Sequence, residues 1–273
     1  MIRNILPYFI QRELFGDRRR YGTTPDRSDP DWKKWLEVYP LFYVQTQRTG
    51  SLPVTINNAG YDVLSKVDLS GLAVADIGPG GGYHLDWFVG KPAAYSAIDV
   101  EECFFEQIQA RAKGFPIQCH MVRANTPRLP LETASQDVLI SFYSLEHLNP
   151  FEPWMAELSR VLKPGGRLVG AIPAEGGIAW GVGRWLTSRR IMKAKYGLDI
   201  RKIICWEHVS FCDTILRRLA AIGSVTEERW PFARMPYDFS LIVKFCVVKS
   251  TNSESHVVAQ DAKNGMSNQE DSN

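Results

Sequence analysis

The alternation that begins at Leu72 constrains this chain most. From there, short apolar runs rich in β-forming residues recur: LAVADI (72–77), AAYSAID (93–99), IQCHMV (117–122), DVLISF (137–142) and RLVGAI (167–172). Stretches with helical periodicity fill the gaps, at about 83–89, 102–113 and 151–162. Strands and helices taken in turn read as βαβ units, whose crossovers return the chain to the same end of the sheet and so make it parallel. Lys163-Pro-Gly-Gly166 follows the third helix, where Gly165 and Gly166 end it and redirect the chain. Beyond lie a helix over 213–221, with Asp213 as its N-cap, and strands near 224–230 and 241–249.

The segment before Leu72 reads differently. Ile2 to Leu14 is apolar enough for an amphipathic helix, and Arg18, Arg19 and Arg20 follow it. That helix either packs on the domain or touches a membrane surface. Residues 26–31 read as a loop. Residues 32–44 read as a helix that Pro40 interrupts, 50–56 as a loop, and 59–67 as a helix. At 273 residues, 45% hydrophobic and 23% charged, the composition is that of an ordinary globular protein. The formal charge of +2 argues against a generic polyanion binder. Residues 250–273 carry a net −3, which leaves +5 on the rest, and their polar, aromatic-free sequence reads as a disordered tail. No stretch approaches the length of a membrane span, and no cleaved signal peptide is evident, so the location expected is cytoplasmic, with peripheral membrane contact through the N-terminus. Five cysteines without a CxxC pair read as free thiols in a reducing compartment, and no metal site is expected.

Asp76-Ile-Gly78-Pro-Gly80-Gly-Gly82 sits at the end of the first of these strands. Glycines there let the backbone turn and approach a ligand closely. Such a strand-to-helix turn points to a nucleotide-containing cofactor. The dinucleotide fingerprint G-x-G-x-x-G fails, because its third glycine would fall on Tyr83. The pattern is D-x-G-x-G-x-G instead. Asp76 would repel a pyrophosphate, and it suits a cofactor with a positive charge and an amino group.

The run VADIGPGGGYH resembles motif I of class I S-adenosylmethionine-dependent methyltransferases, of the small-molecule, methyltransferase domain 11-like type. Asp99, 21 residues after Gly78, is similar to the family's ribose-binding acid. Asn125-Thr-Pro-Arg-Leu-Pro-Leu131 resembles its D-A-x-x-L-P-F segment, with Asn125 in place of the Asp that holds the adenine amino group; an amide oxygen can also accept that bond. QDVLISFYSLEHL and LSRVLKPGGRLVGAIP resemble the fourth- and fifth-strand segments. The resemblance covers about residues 60–175 well and continues weakly to 249. It implies a Rossmann-like, doubly wound α/β fold: a mostly parallel seven-stranded sheet, an N-terminal helical cap over 1–58, a catalytic domain over 59–249 and an insert over 174–206. It implies S-adenosyl-L-methionine as cofactor, held by Asp76, Gly78, Gly80, Gly82, Asp99, Val100, Asn125, Thr126 and Phe142.

Methyl transfer is an in-line displacement, so the protein mainly aligns the partners and excludes water. An alcohol or phenol acceptor would also gain from a base. His147, in the loop after the fourth strand, and His208, before the late helix, are the candidate catalytic residues; each has a purely structural alternative. His84 and His120 read as structural. Tyr143, Trp180, Arg189 and Arg190 are candidates for the acceptor side. Between Arg184 and Lys202 stand seven basic residues and one acid, Asp199, among aromatics. The bland reading of that insert is a solvated helix face. The leading function is methyl transfer to a small-molecule or a lipid- or glycan-linked acceptor. Two alternatives stay open: an RNA or protein methyltransferase using the basic insert, and a non-catalytic cofactor-binding partner subunit. No N/D-P-P-Y/F tetrapeptide or RNA-binding module is visible, so nucleic acid is not the expected partner.

Overall fold

The computed structural model describes residues 1–47, 51–113 and 119–251; the terminal tail, from 252 on, lies outside the described residues. Seven strands form one sheet: β1 (Ala73–Ile77), β2 (Ala94–Asp99), β3 (Cys119–Arg123), β4 (Gln136–Phe142), β5 (Leu162–Pro173), β6 (Gly223–Trp230) and β7 (Ile242–Lys249), in the order β3-β2-β1-β4-β5-β7-β6. β1 to β5 pair in parallel, and β7 runs antiparallel to both β5 and β6.

Alternation along each strand divides the core in two. Ala75, Ile77, Leu139, Leu168 and Ile172 face one side, where Trp154, Leu158, Ile215 and Leu219 pack from the helices Phe151–Val161 and Cys212–Ile222. Val74, Val138, Ile140, Val169 and Ala171 face the other, against Tyr61, Leu64, Leu85 and Ile108. Both faces are covered, which is why the central strands read as nearly unbroken apolar runs.

Several elements depart from the sequence reading. After the glycine loop there is only a 3-10 turn, Tyr83–Trp87, because Val89 leaves the spiral to bridge Asp68. Asp213 does not cap its helix: Phe211 holds the N-cap position, and the Asp213 carboxylate takes Arg3 at 2.8 Å. Lys163 to Gly166 form a bulge inside β5, with Leu162 opposite Gln136 and Arg167 opposite Val138. The helix Pro30–Gln47 runs through Pro40, since its packing face continues: Trp35 meets both Tyr39 and Phe42 at ring distances of 5.3 and 5.5 Å. Ser51–Asn58 is helical where a loop was expected, and Tyr61–Lys66 is a 3-10 helix. The N-terminal stretch breaks into a turn, Ile2–Ile5, and the helices Tyr8–Phe15 and Arg18–Tyr21.

The segment after β5 holds the helices Ile178–Leu186, Ser188–Ile191 and Ile200–Glu207, with a π-helical turn Met192–Tyr196 between the last two. It does not stand alone. Trp32 and Trp35 share a third apolar cluster with Met192, Leu198, Ile203, Ile204 and Trp206, so the N-terminal helices and this segment form one layer.

Candidate active site

The glycine loop leaves β1 with Gly78, Gly80 and Gly82 all at positive φ (65°, 51° and 65°). An L side chain is strained there. At Gly78 it would also collide, because a Cβ would lie 2.6 Å from the Cβ of Ser144. Ser144 is the clasp beneath the loop: its Oγ donates to the carbonyl of Ile77 at 2.6 Å and shares a 2.6 Å bond with Ser141 Oγ. The end of β1 is thereby fastened to the end of β4.

Two carboxylates flank this loop. Asp76 is fully buried, and its Oδ2 accepts from Tyr95 Oη and bonds His84 Nε2, each at 2.5 Å. Its Oδ1 is buried without a hydrogen-bond partner, an acceptor at the strand end that still wants a donor. Burial and the Asp76 charge push the Tyr95 phenol well above its ordinary pKa, so Tyr95 stays a donor. Asp99 ends β2 and accepts from the backbone N–H groups of Gly80 (3.1 Å) and Glu101 (3.0 Å). Burial raises its pKa, and those N–H groups work against the rise. Each of its oxygens keeps a second lone pair free for a hydroxyl. This set of acceptors fits a cofactor with amino and ribose hydroxyl groups, and the backbone leaves no side chain in its way at the turn.

Beyond the clasp, Tyr143 adopts φ 56°, a left-handed conformation unusual for a large residue. Its hydroxyl donates to the carbonyl of Asn57 at 2.8 Å. The short turn Leu145–His147 follows and enters a partly buried chain of ionisable groups. His147 Nδ1 lies 3.2 Å from Glu207, whose other oxygen accepts from Trp35 Nε1 at 2.5 Å. The His147 and His208 rings meet edge to face at 4.8 Å. His208 Nδ1 lies 2.8 Å from Glu175, which also accepts from Trp180 (3.0 Å) and Arg184 (2.5 and 3.0 Å). Glu146 is 1% exposed, and its Oε2 has no partner.

The environments push the two histidines apart. For His147, burial opposes the charge, but the Glu207 bond and the charge of Glu146 outweigh it and raise the pKa to about 9. For His208, burial leads, the imidazolium of His147 adds to it, and the pKa falls below the ordinary value despite Glu175. Glu146 is raised to about 7, chiefly by burial. Burial would raise Glu175 too, yet Arg184 and His208 hold it well below the carboxylate range. At neutral pH His147 is therefore cationic and His208 neutral. Glu175, ionised, accepts the Nδ1 proton of His208, which leaves Nε2 as the lone-pair nitrogen.

The other expected site residues fall in different places. Val100 is 47% exposed, just past Asp99, and Asn125 and Thr126 are exposed just past β3. Phe142 is 6% exposed and packs edge-on against Tyr61 at 5.0 Å, so its ring belongs to the core. Trp180 stands beside Glu175 in that chain. Arg189 is tied to Glu13 at 2.5 Å, while Arg190 lies exposed over the Trp185 ring at 5.5 Å. Sequence reasoning missed Tyr95, Ser144, Glu175 and Glu207. The signal for Glu175 was its place directly after β5, at the strand end; the partners of the others come from other elements.

Comparison with known proteins agrees with this geometry. Residues 75–170 match the family model of a methyltransferase domain. Demethylmenaquinone methyltransferase of Lactococcus lactis is 32% identical over 106 residues, which cover 37% of this chain and 42% of the relative. Phthiotriol/phenolphthiotriol dimycocerosates methyltransferase of Mycobacterium leprae is 29% identical over 113 residues, 41% of each chain. Malonyl-[acyl-carrier protein] O-methyltransferase of Alcanivorax borkumensis is 45% identical over 56 residues, 20% of this chain and 19% of the relative. The chain spans no more than about two fifths of the length of the curated relatives it matches. Among solved structures, a chain from the complex of the Haloferax volcanii Trm112 methyltransferase activator with its methyltransferase superposes with a TM-score of 0.52 at 14% identity, covering 81% of this chain and 97% of that one; it shows the fold alone. The strand order with one reversed strand, the glycine loop and its flanking acids are similar to those of a methyltransferase domain, whose family model residues 75–170 match. Within residues 75–170 the likeness is to class I domains, a group that uses S-adenosyl-L-methionine.

Proposed function

We propose that the protein transfers a methyl group to a hydroxyl of a small-molecule or lipid- or glycan-linked acceptor. The observation that carries this reading is the Glu175–His208 pair beside the glycine loop's end of the sheet: a neutral imidazole oriented by a buried carboxylate. When bound, S-adenosyl-L-methionine supplies an electrophilic methyl group on a positively charged sulfur. Gly78, Gly80 and Gly82 give it close backbone approach, Asp99 takes the ribose hydroxyls, and Asp76 Oδ1 accepts from a donor at the loop. Val100, Asn125, Thr126 and the backbone at Phe142 complete the adenosine side. His208 Nε2 receives the proton of the acceptor hydroxyl. Burial favours the neutral form of His208, and the charge of His147, itself held as a cation by Glu207, adds to that. Tyr143 and Trp180 border the acceptor side.

The relatives' names fit such a range: one acts on demethylmenaquinone and another on phthiotriol dimycocerosates, both named for the acceptor. The reading that uses the insert to grip RNA or an acidic protein is disfavoured by its ion pairs. Arg184, Arg189, Arg201 and Lys202 are engaged by Glu175, Glu13, Asp199, Asp29 and Asp31. We place the protein in the cytoplasm; among the described residues no helix is long and apolar enough to cross a membrane.

Calorimetry with S-adenosylhomocysteine tests the cofactor site. Wild type should bind, and Asp76→Ala and Asp99→Ala should bind at least tenfold more weakly, about 1.4 kcal/mol. Absence of binding at sub-millimolar ligand, or unaltered binding by both variants, would count decisively against the reading. Single-turnover transfer of labelled methyl into a metabolite and lipid extract then names the acceptor; label in a nitrogen or carbon product would refute the hydroxyl assignment.

A further inference from the structure

The outer face of the segment after β5 has no role in the reading above. From Gly176 to Leu198 there is no acidic residue, and five are basic. Two of the five, Arg184 and Arg189, turn inward to Glu175 and Glu13. Arg190, Lys193 and Lys195 remain on the exposed side. The apolar residues there are also outside: Val182, Trp185, Leu186 and Ile191 are 38–45% exposed. Val182, Trp185 and Leu186 fall on one stripe of their helix, opposite Arg184.

The N-terminal helix lies alongside this one. Gly181 lies so close to Leu14 and Phe15 that a Cβ would come within 3.1 and 2.8 Å of them, and Arg184 donates to the carbonyl of Leu14 at 2.7 Å. The two helices are thus locked side by side. Phe9 is 60% exposed, and Arg12 stands one turn further on the same stripe. The adjoining Ile5 is 82% exposed. Glu13, the acid nearest to this surface in sequence, is shared among Arg189 and Arg201 at 2.5 and 3.0 Å and, more loosely, Arg12 at 3.7 Å.

We propose that this face, formed by the Ile178–Leu186 helix, the turn through Lys193 and the Tyr8–Phe15 helix, docks on an anionic lipid bilayer. Interleaved cations with a tryptophan and aliphatic side chains are the chemistry of a helix lying in the bilayer interface. The apolar stems enter the acyl boundary and the cations meet the head-group phosphates. A polar solvated face would not leave Phe9, Trp185 and Leu186 in water together, and an apolar protein partner would not call for cations between them. The inference gives the lipid-linked part of the proposed acceptor range a physical basis, but docking needs no turnover and is measured without cofactor.

Vesicle cosedimentation at physiological salt tests it, with phosphatidylcholine alone and with equal parts of phosphatidylcholine and phosphatidylglycerol. The full chain should sediment with the mixed vesicles and hardly with the neutral ones. Each cation near such a surface contributes about 1 kcal/mol, a factor of about five, so Arg12→Glu with Lys193→Glu should weaken partition by about 25-fold or more. Trp185→Ser with Leu186→Ser should weaken it about tenfold or more by loss of buried apolar area. Unchanged thermal melting of both double variants keeps these losses attributable to the surface. Absence of sedimentation with the anionic vesicles, equal sedimentation with both kinds, or full binding by the variants would overturn the proposal. Salt-sensitive binding to polyglutamate without vesicle binding would overturn it in favour of an acidic protein partner. If docking holds while S-adenosylhomocysteine fails to bind, the surface stands and the methyltransferase reading falls.

Discussion

Glu175→Gln changes one atom at the most connected point of the chain of ionisable groups. The native carboxylate is fully buried and receives two bonds from Arg184, one from Trp180 and one from His208. Glutamine keeps the shape, but its amide can no longer balance the guanidinium of Arg184, which is 9% exposed. Removing one partner of a buried ion pair costs about 3–5 kcal/mol. The acid side gives an independent check. Glu175 is held well below the ordinary carboxylate range, so its contribution is fully present above the unfolded pKa near 4.5 and is lost as pH falls toward the folded value. Below that pKa wild type should lose stability from this group at up to about 1.4 kcal/mol per pH unit, and Glu175→Gln should lack that slope. Urea denaturation followed by circular dichroism at pH 7, repeated through an acid series, measures both. Glu175→Leu with Arg184→Met removes pair and charge together and should recover at least about 2 kcal/mol over the Glu175→Leu single variant. A Glu175→Gln loss below about 1 kcal/mol, an unchanged acid slope, or strict additivity in the double variant would refute the description of this centre.

Other expectations follow from the same geometry. Gly78→Ala places a methyl in a left-handed position against Ser144 and should cost about 2 kcal/mol or more in thermal unfolding, with S-adenosylhomocysteine binding weakened in calorimetry. His208→Ala should lower kcat by about 10²–10⁴ while leaving cofactor Kd within a factor of a few; an equal loss of cofactor binding would make His208 structural. His147 sits above its ordinary pKa, so its stabilisation is complete below the unfolded value near 6.5 and is lost as pH rises through about 9. Glu146, raised from 4.5 to about 7, prefers its proton in the fold; its ionisation penalty grows from the lower value and levels off above the upper, on the order of 3 kcal/mol. Glu146→Gln should therefore flatten the stability decline between about pH 5 and 7 in denaturant titrations; a slope equal to wild type would contradict the raised pKa.

Strand periodicity and the glycine loop were legible in the sequence because both are local. All seven strands fall within a few residues of their expected places, and the glycines expected to turn the backbone there all adopt positive φ. What the sequence concealed is pairing across elements. The insert's seven cations looked nearly unopposed, with Asp199 the only acid among them. Glu13 and Asp29, far earlier in the chain, neutralise Arg189, Arg201 and Lys202. The helical reading of 83–89 counted apolar spacing and could not foresee that Val89 would bridge Asp68 and cut the helix short. The Asp76 contact with Tyr95 crosses from β1 to its neighbour β2, a relation that exists only once the sheet is paired.

The N-terminal layer is fastened almost wholly to the last third of the chain. The amide of Ile2 donates to Asp238, Arg3 pairs with Asp213, Arg18 donates to the carbonyls of His208 and Val209, and Trp35 reaches Glu207, 172 residues away. During synthesis at roughly 5–20 residues per second, Trp35 is added to the chain about 9–34 s before Glu207. For that interval the first helices have nothing to pack on, with Phe15, Trp32 and Trp35 all open to other chains or to chaperones. Moving residues 1–47 to the C-terminal side by circular permutation would abolish the wait, and the yield of folded protein from a chaperone-free translation system should rise accordingly.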